Sequence, residues 1–322
     1  MHDITKSPLT RGNLMGGALL MHLGFAYVVA FAISFFCLIF DRSGRVLSLI
    51  ADNDIILSFA LNTFIVFVTL FLFFAVIVKV LGLNIAQTCA LGLPDRKGLA
   101  LPCIFISLSM TVYGVVFTNL LSAFTETVFH AVPYEPEFTT DCFTPFTFIF
   151  VLINSALVPA IIEEFTFRGA ILGIFRRYGD IGAILISTVM FSLAHGNFVQ
   201  IPYTFMFGLG LGLTRVLTNS IWPCIVAHFI NNALVTVISF IPDNYNLVSI
   251  SVQLFMLALY GILGIISYIR LNNRGVIKTM TKSNPPFIKT SGKDLCKALF
   301  APLNVIAIIV LLIYAFTNFK AV

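Results

Sequence analysis

Long apolar stretches, interrupted by charged or turn-forming residues, dominate this chain from end to end. They fall near residues 14–40, 55–82, 99–125, 144–173, 181–197, 199–217, 220–241, 247–269 and 302–319. Each lies within or above the about 17–25 residues that an α-helix needs to cross a bilayer. The fifth and sixth come from one uncharged run, Ile181 to Thr214, which His195-Gly196-Asn197 and Pro202 divide. Glycine ends helices and proline starts them, so the chain is expected to turn there. The pattern predicts an all-α, polytopic integral membrane helix bundle of about eight to nine transmembrane helices, in a single domain spanning 1–322.

Composition supports this reading. Hydrophobic residues make up 59% of the chain and charged residues only 10%, with a mean hydropathy of +1.00. A soluble fold of this size needs far more charge around its core. The run from Leu14 to Phe40 exceeds the about 7–15 apolar residues of a cleaved signal, so it reads as a first anchor helix. The six cysteines form no CxxC pair, which argues against a disulfide framework and against structural zinc. Residues 270–300 are basic and loop-like, and Asn284-Pro285-Pro286 blocks a continuous helix. Such a segment is attracted to anionic lipid. No nucleic-acid motif and no internal repeat accompanies it.

Charge sets the expected orientation. With the N-terminus cytoplasmic, fifteen basic residues fall on the inner side, against Arg42, Arg45 and Lys320 on the outer side. That excess follows the positive-inside rule and implies a multi-pass protein of the cell membrane.

Three polar clusters stand out because an ionisable group at membrane depth costs at least about 2.5 kcal/mol and therefore marks a cavity, a partner or a site. In the fourth span, Glu163 and Glu164 precede Arg168. Glu164 and Arg168 are i,i+4 neighbours able to pair, while Glu163 points about 100° away. A free carboxylate beside a neutralised one suits a general base, although two acids bridging helices would look the same. In the fifth span Phe191 and His195 share a face, so the ring can wall the imidazole from lipid. In the seventh, His228 and Asn232 present two donors side by side, as an oxyanion requires, and Asn231 points elsewhere. At 1.5 Å per residue Glu163 lies roughly 15–20 Å from the inner end of its helix, His195 about 21 Å, and His228 to Asn232 about 12–18 Å. Gly208 and Gly212 form a GxxxG pair in the sixth span, read as a packing device.

Together EExxxR, FxxxH and HxxxN, in order on separate helices, resemble the signature of the CPBP family of intramembrane endopeptidases, the CAAX-processing and bacteriocin-processing (Abi) proteases. The resemblance covers about residues 144–240. It implies an endopeptidase acting on a membrane-associated peptide or protein substrate, with the lipid bilayer as its other partner. By the same resemblance, Glu163 activates water with help from His195. His228 and Asn232 hold the oxyanion, and Glu164, Arg168 and Phe191 support the site. No cofactor is the favoured expectation, since HExxH is absent and an amide beside the second histidine suits an oxyanion hole. Zinc held by Glu163, His195 and His228 is the alternative. The competing functions are a proton-coupled membrane transporter using the same acids and histidines and a non-catalytic membrane binding protein.

The orientation is checked with native thiols. An impermeant maleimide is expected to label Cys142 in intact cells and to miss Cys296; the reverse pattern contradicts a cytoplasmic N-terminus.

Overall fold

The structure is a computed structural model that describes residues 7–40, 79–95, 98–129, 131–133, 144–276, 292–317 and 319–321, together with Phe64, Phe67, Val68, Leu70, Phe74, Val76 and Ile77. Most of the expected second span and Cys142 lie outside the described residues.

The helices begin where local chemistry supplies a cap. The first, α1 (Pro8–Phe40), starts on Ser7, whose Oγ accepts the Thr10 N–H at 3.2 Å, with proline in the first helical position. A short α2 (Ile85–Cys89) is capped by Asn84, whose Oδ1 accepts from Gln87 N–H. Helix α3 (Ala100–Phe129) follows. Helix α4 (Pro145–Tyr178) is capped by Thr144, which accepts from Thr147 N–H. After it come α5 (Asp180–Ala194), α6 (Gln200–Thr218), α7 (Trp222–Ser239) and α8 (Asn246–Asn273). The last two are α9 (Gly292–Leu299) and α10 (Pro302–Thr317). A two-stranded antiparallel ribbon pairs β1 (Ala131–Pro133) with β2 (Phe319–Ala321), Val132 opposite Lys320.

Tight connections fix the order α4–α5–α6–α7. Helix α4 closes on a single 3₁₀ turn, Arg176–Tyr178, and Gly179 at φ +113° joins it to α5, a backbone state that suits glycine. The chain then turns at His195 to Val199, as expected from the sequence. Gly196 takes φ +63° there, and Asn197 Oδ1 accepts from Val199 N–H. Pro202 sits in the first turn of α6, where its missing N–H has no partner to lose. Asn219, at φ +48°, ends α6.

The protein is an all-α membrane helix bundle. Among the described residues five helices are long and apolar enough to cross a bilayer, or six if the pair Lys293–Leu299 and Pro302–Ala315, bent by 53°, is one span. Helices α5 and α6 are not among them. At 15 residues α5 is about 22 Å long, and α6 carries Gln200, Arg215, three threonines and three glycines. Both are largely buried and form the inner layer against which α3, α4 and α7 pack. Two of the apolar runs are thus inner helices of the bundle.

Residues 277–291, with Asn284-Pro285-Pro286, lie outside the described residues, and the basic 270–300 segment is helical on both sides of them. Helix α8 continues to Asn273, and residues 292–299 are helical. That short helix is ordered by its apolar face: Leu295 packs on Gly182 of α5 and Ala298 on Gly12 of α1. Its Lys297 remains exposed and pairs with Asp294 at 3.6 Å.

Candidate active site

Helix α4 carries the two acids, and its backbone departs from a regular α-helix on both sides of them. Ile153–Leu157 and Phe165–Ile171 are π-helical, flanking an α-helical Val158–Glu164. Pro159 accounts for the first widening: it lacks an N–H and crowds the carbonyl four residues earlier, and Val158 N–H instead reaches Ile153 O, five residues back. The second widening brings Leu172 N–H to Phe167 O, again five residues back. Ser187 Oγ of α5 also donates to that Phe167 carbonyl, at 2.8 Å. Single π turns of this kind recur at functional sites.

A buried ion cluster spans the junction of the α-helical stretch and the second π turn. Glu164 and Arg168 are both 0% exposed, and Arg168 Nη1 donates to Glu164 Oε1 at 2.8 Å, the pairing expected from their spacing. The same Oε1 lies 2.8 Å from His228 Nδ1 on α7. Arg168 reaches two further helices. Its Nη2 donates to Gly208 O of α6 at 3.3 Å, and its Cζ stands 4.1 Å over the centre of the Phe191 ring of α5. Four helices therefore meet on one carboxylate–guanidinium pair.

Glu163 occupies a different environment. Its side chain is 17% exposed, and its Oε2 is 4.0 Å from His228 Nε2. Glu163 is not paired with Arg168; its Oε2 is a buried oxygen that accepts no hydrogen bond. The imidazole of His228 thus lies between the two carboxylates, with Nδ1 on Glu164 and Nε2 toward Glu163. Phe191 and Phe207 meet it edge to face, with ring centres at 5.8 and 5.6 Å.

His195 ends α5 and is the exposed member of the set. Its Nδ1 lies 2.8 Å from Phe191 O. A carbonyl only accepts, so Nδ1 carries the proton and a neutral His195 keeps its lone pair on Nε2. The Phe191 ring is 4.8 Å from the imidazole. It is 1% exposed and lies against Arg168, His195 and His228. On α7, Asn232 Oδ1 accepts from Asn231 Nδ2 at 3.2 Å, and Asn231 Oδ1 accepts from Tyr203 OH at 2.6 Å.

All seven residues singled out by the motifs thus lie on α4, α5 and α7. Direct contacts join Glu164, Arg168, Phe191 and His228, with Glu163 facing His228. Among the described residues no hydrogen bond links Glu163 to His195. Among the described residues no three His, Cys, Asp or Glu side chains are grouped to hold a metal ion. Motif reading missed Gly208, Phe207 and Tyr203. Gly208 had a visible signal in its GxxxG spacing. A Cβ there would sit 3.0 Å from Thr188 Cγ2, 3.2 Å from Arg168 Nη2 and 3.3 Å from Phe191 Cδ1. The glycine both admits the guanidinium and supplies the carbonyl that receives it.

The fold and site define an integral membrane protein with a carboxylate–histidine centre on neighbouring helices of its bundle. Residues 145–234 match the family model described as type II CAAX prenyl endopeptidase Rce1-like. The matched segment contains every motif residue, and the match supports the resemblance to the CPBP/CAAX protease family and CAAX-type intramembrane protease activity in general terms. No curated protein and no solved structure matches the chain.

Arg168→Met is expected to destabilise the protein by about 3–5 kcal/mol, because it leaves the buried Glu164 without its guanidinium. Equilibrium unfolding in mixed micelles measures this; a change within about 0.5 kcal/mol contradicts the role given to the pair.

Proposed function

We propose that this protein is an endopeptidase that hydrolyses a peptide bond of a membrane-associated peptide or protein, using a glutamate-activated water. The observation that carries the proposal is the unequal pair of neighbouring acids. Both acids keep a buried Oε2 without a hydrogen-bond donor, but Glu164 is held through Oε1 by Arg168 and His228 at 2.8 Å, whereas Glu163 is 17% exposed and stands 4.0 Å from His228. A carboxylate in that state is suited to take a proton from water.

The chemistry then follows from the hydrogen bonds. Glu163 removes a proton from water as its oxygen attacks the scissile carbonyl carbon. The carbonyl π electrons move to oxygen, forming a tetrahedral oxyanion. His228 donates to that oxyanion through Nε2. With Nδ1 giving its proton to Glu164, donation from Nε2 requires a second ring proton, and the two carboxylates stand on either side of that ring. The Asn232 amide is the second donor. When the C–N bond breaks, the amine leaves with the proton that Glu163 accepted. His195, with its lone pair on Nε2, orients the water and can carry the proton between the two. The net change is one peptide bond and one water converted to a carboxylic acid and an amine.

The substrate class rests on the family description, which names a CAAX prenyl endopeptidase; a prenylated C-terminal peptide delivered through the membrane is the first candidate. The positive-inside bias supports a cytoplasmic N-terminus in a multi-pass protein of the cell membrane.

The test compares peptides and protein termini from membranes of cells expressing the wild type or Glu163→Gln at equal levels. The substitution keeps the shape and removes the base. New termini that need Glu163 are expected; identical profiles contradict proteolysis and make proton flux the next assay. A chelator that abolishes cleavage, with specific recovery on zinc, contradicts the metal-free mechanism.

A further inference from the structure

An asparagine serves as an oxyanion donor only if its NH₂, and not its carbonyl, faces the reacting atom. The two ends of the amide are nearly equal in size, so shape alone does not choose between them. In this protein a chain of two hydrogen bonds makes the choice. Asn231 Nδ2 donates to Asn232 Oδ1 at 3.2 Å, which engages the carbonyl end and leaves the Asn232 NH₂ turned from Asn231. Asn231 is 5% exposed, and its own Oδ1 accepts from Tyr203 OH on α6 at 2.6 Å.

The hydroxyl sets the direction of the whole chain. Were Asn231 reversed, its Oδ1 would face Asn232 and draw in the NH₂ needed for catalysis. The Tyr203 hydroxyl would then accept from Asn231 Nδ2 and its own proton would lose the acceptor it has, an unfavourable exchange in a half-buried site. Tyr203 is itself held in place by a close helix contact: a Cβ on Gly114 of α3 would lie 2.9 Å from Tyr203 Cα. Helix α6 can approach α3 there only because residue 114 is glycine.

We infer that Tyr203 and Asn231 are positioning residues that fix which end of the Asn232 amide faces the scissile carbonyl. The inference rests on the protease reading and on Asn232 as an oxyanion donor, and it adds two residues outside the three motifs. Neither residue touches the substrate; each acts through the next amide.

The experiment uses the full chain in liposomes with an internally quenched farnesylated peptide ending in a CAAX sequence, titrated to saturation. Removing an oxyanion donor typically costs about 10²–10³-fold in kcat, so Asn232→Ala is expected in that range. Tyr203→Phe keeps the ring and removes the hydroxyl. Asn231→Asp keeps an acceptor for Tyr203 and removes the donor to Asn232. Each is expected to lower kcat by about tenfold, part of the Asn232 effect, with KM unchanged within about twofold. Placed on Asn232→Ala, neither should lower kcat further, because the amide they orient is gone. A thermal midpoint for Tyr203→Phe near that of the wild type separates positioning from folding.

Wild-type kcat in both single variants overturns the inference, as do losses that multiply in the Asn232→Ala background. Glu163→Gln separates the two failures. If the wild type cleaves and Glu163→Gln does not, a normal Tyr203→Phe removes the positioning role alone. If cleavage by the wild type does not depend on Glu163, the protease mechanism falls and the positioning role with it.

Discussion

One buried oxygen, Glu164 Oε1, holds the site together. It receives Arg168 from its own helix and His228 from α7, both at 2.8 Å. Through Arg168 the same contact reaches the α6 backbone at Gly208 and the face of Phe191 on α5. Charges this deeply buried are costly to desolvate, so they persist only where the partners compensate one another. Here Glu164 and Arg168 compensate each other within α4, and α5, α6 and α7 add a ring face, a carbonyl and an imidazole, each lost if its helix shifts. The rigidity of the site follows from that constraint.

The division of labour between the adjacent acids has the same origin. Neighbouring residues on a helix project about 100° apart, so only one of Glu163 and Glu164 can point at Arg168. The π turns on either side of Val158–Glu164 widen the backbone without breaking it. They allow α4 to carry Pro159 and still place both carboxylates against α7. His228 occupies the space between them, and edge-on aromatic rings on two sides leave it little freedom to rotate.

Much of this was legible in the sequence, and the reasons for what was not are physical. The Glu164–Arg168 pair is a local consequence of helical spacing, so it could be read directly. The turn at His195-Gly196-Asn197 was equally clear, because Gly196 takes a positive φ that glycine favours. The link from Glu164 to His228 joins residues 64 positions apart, and no local pattern encodes it; side-by-side placement of His228 and Asn232 hid the fact that the imidazole faces the acids. Gly208 showed its spacing but not the use of its carbonyl. Tyr203 gave no signal, since its role exists only after α6 and α7 pack. Hydropathy also could not tell the buried helices α5 and α6 from lipid-facing spans, because a protein interior and a bilayer select similar residues.

Neighbouring acids with separate duties make a direct test available in the Glu163→Gln and Glu164→Gln variants, each purified in the same detergent. Thermal unfolding of the two, side by side with the wild type, measures which acid holds the fold. The account predicts a midpoint close to wild type for Glu163→Gln and a clear loss for Glu164→Gln, which leaves Arg168 and His228 without their shared anion. Equal midpoints for both variants, or the larger loss for Glu163→Gln, would contradict it.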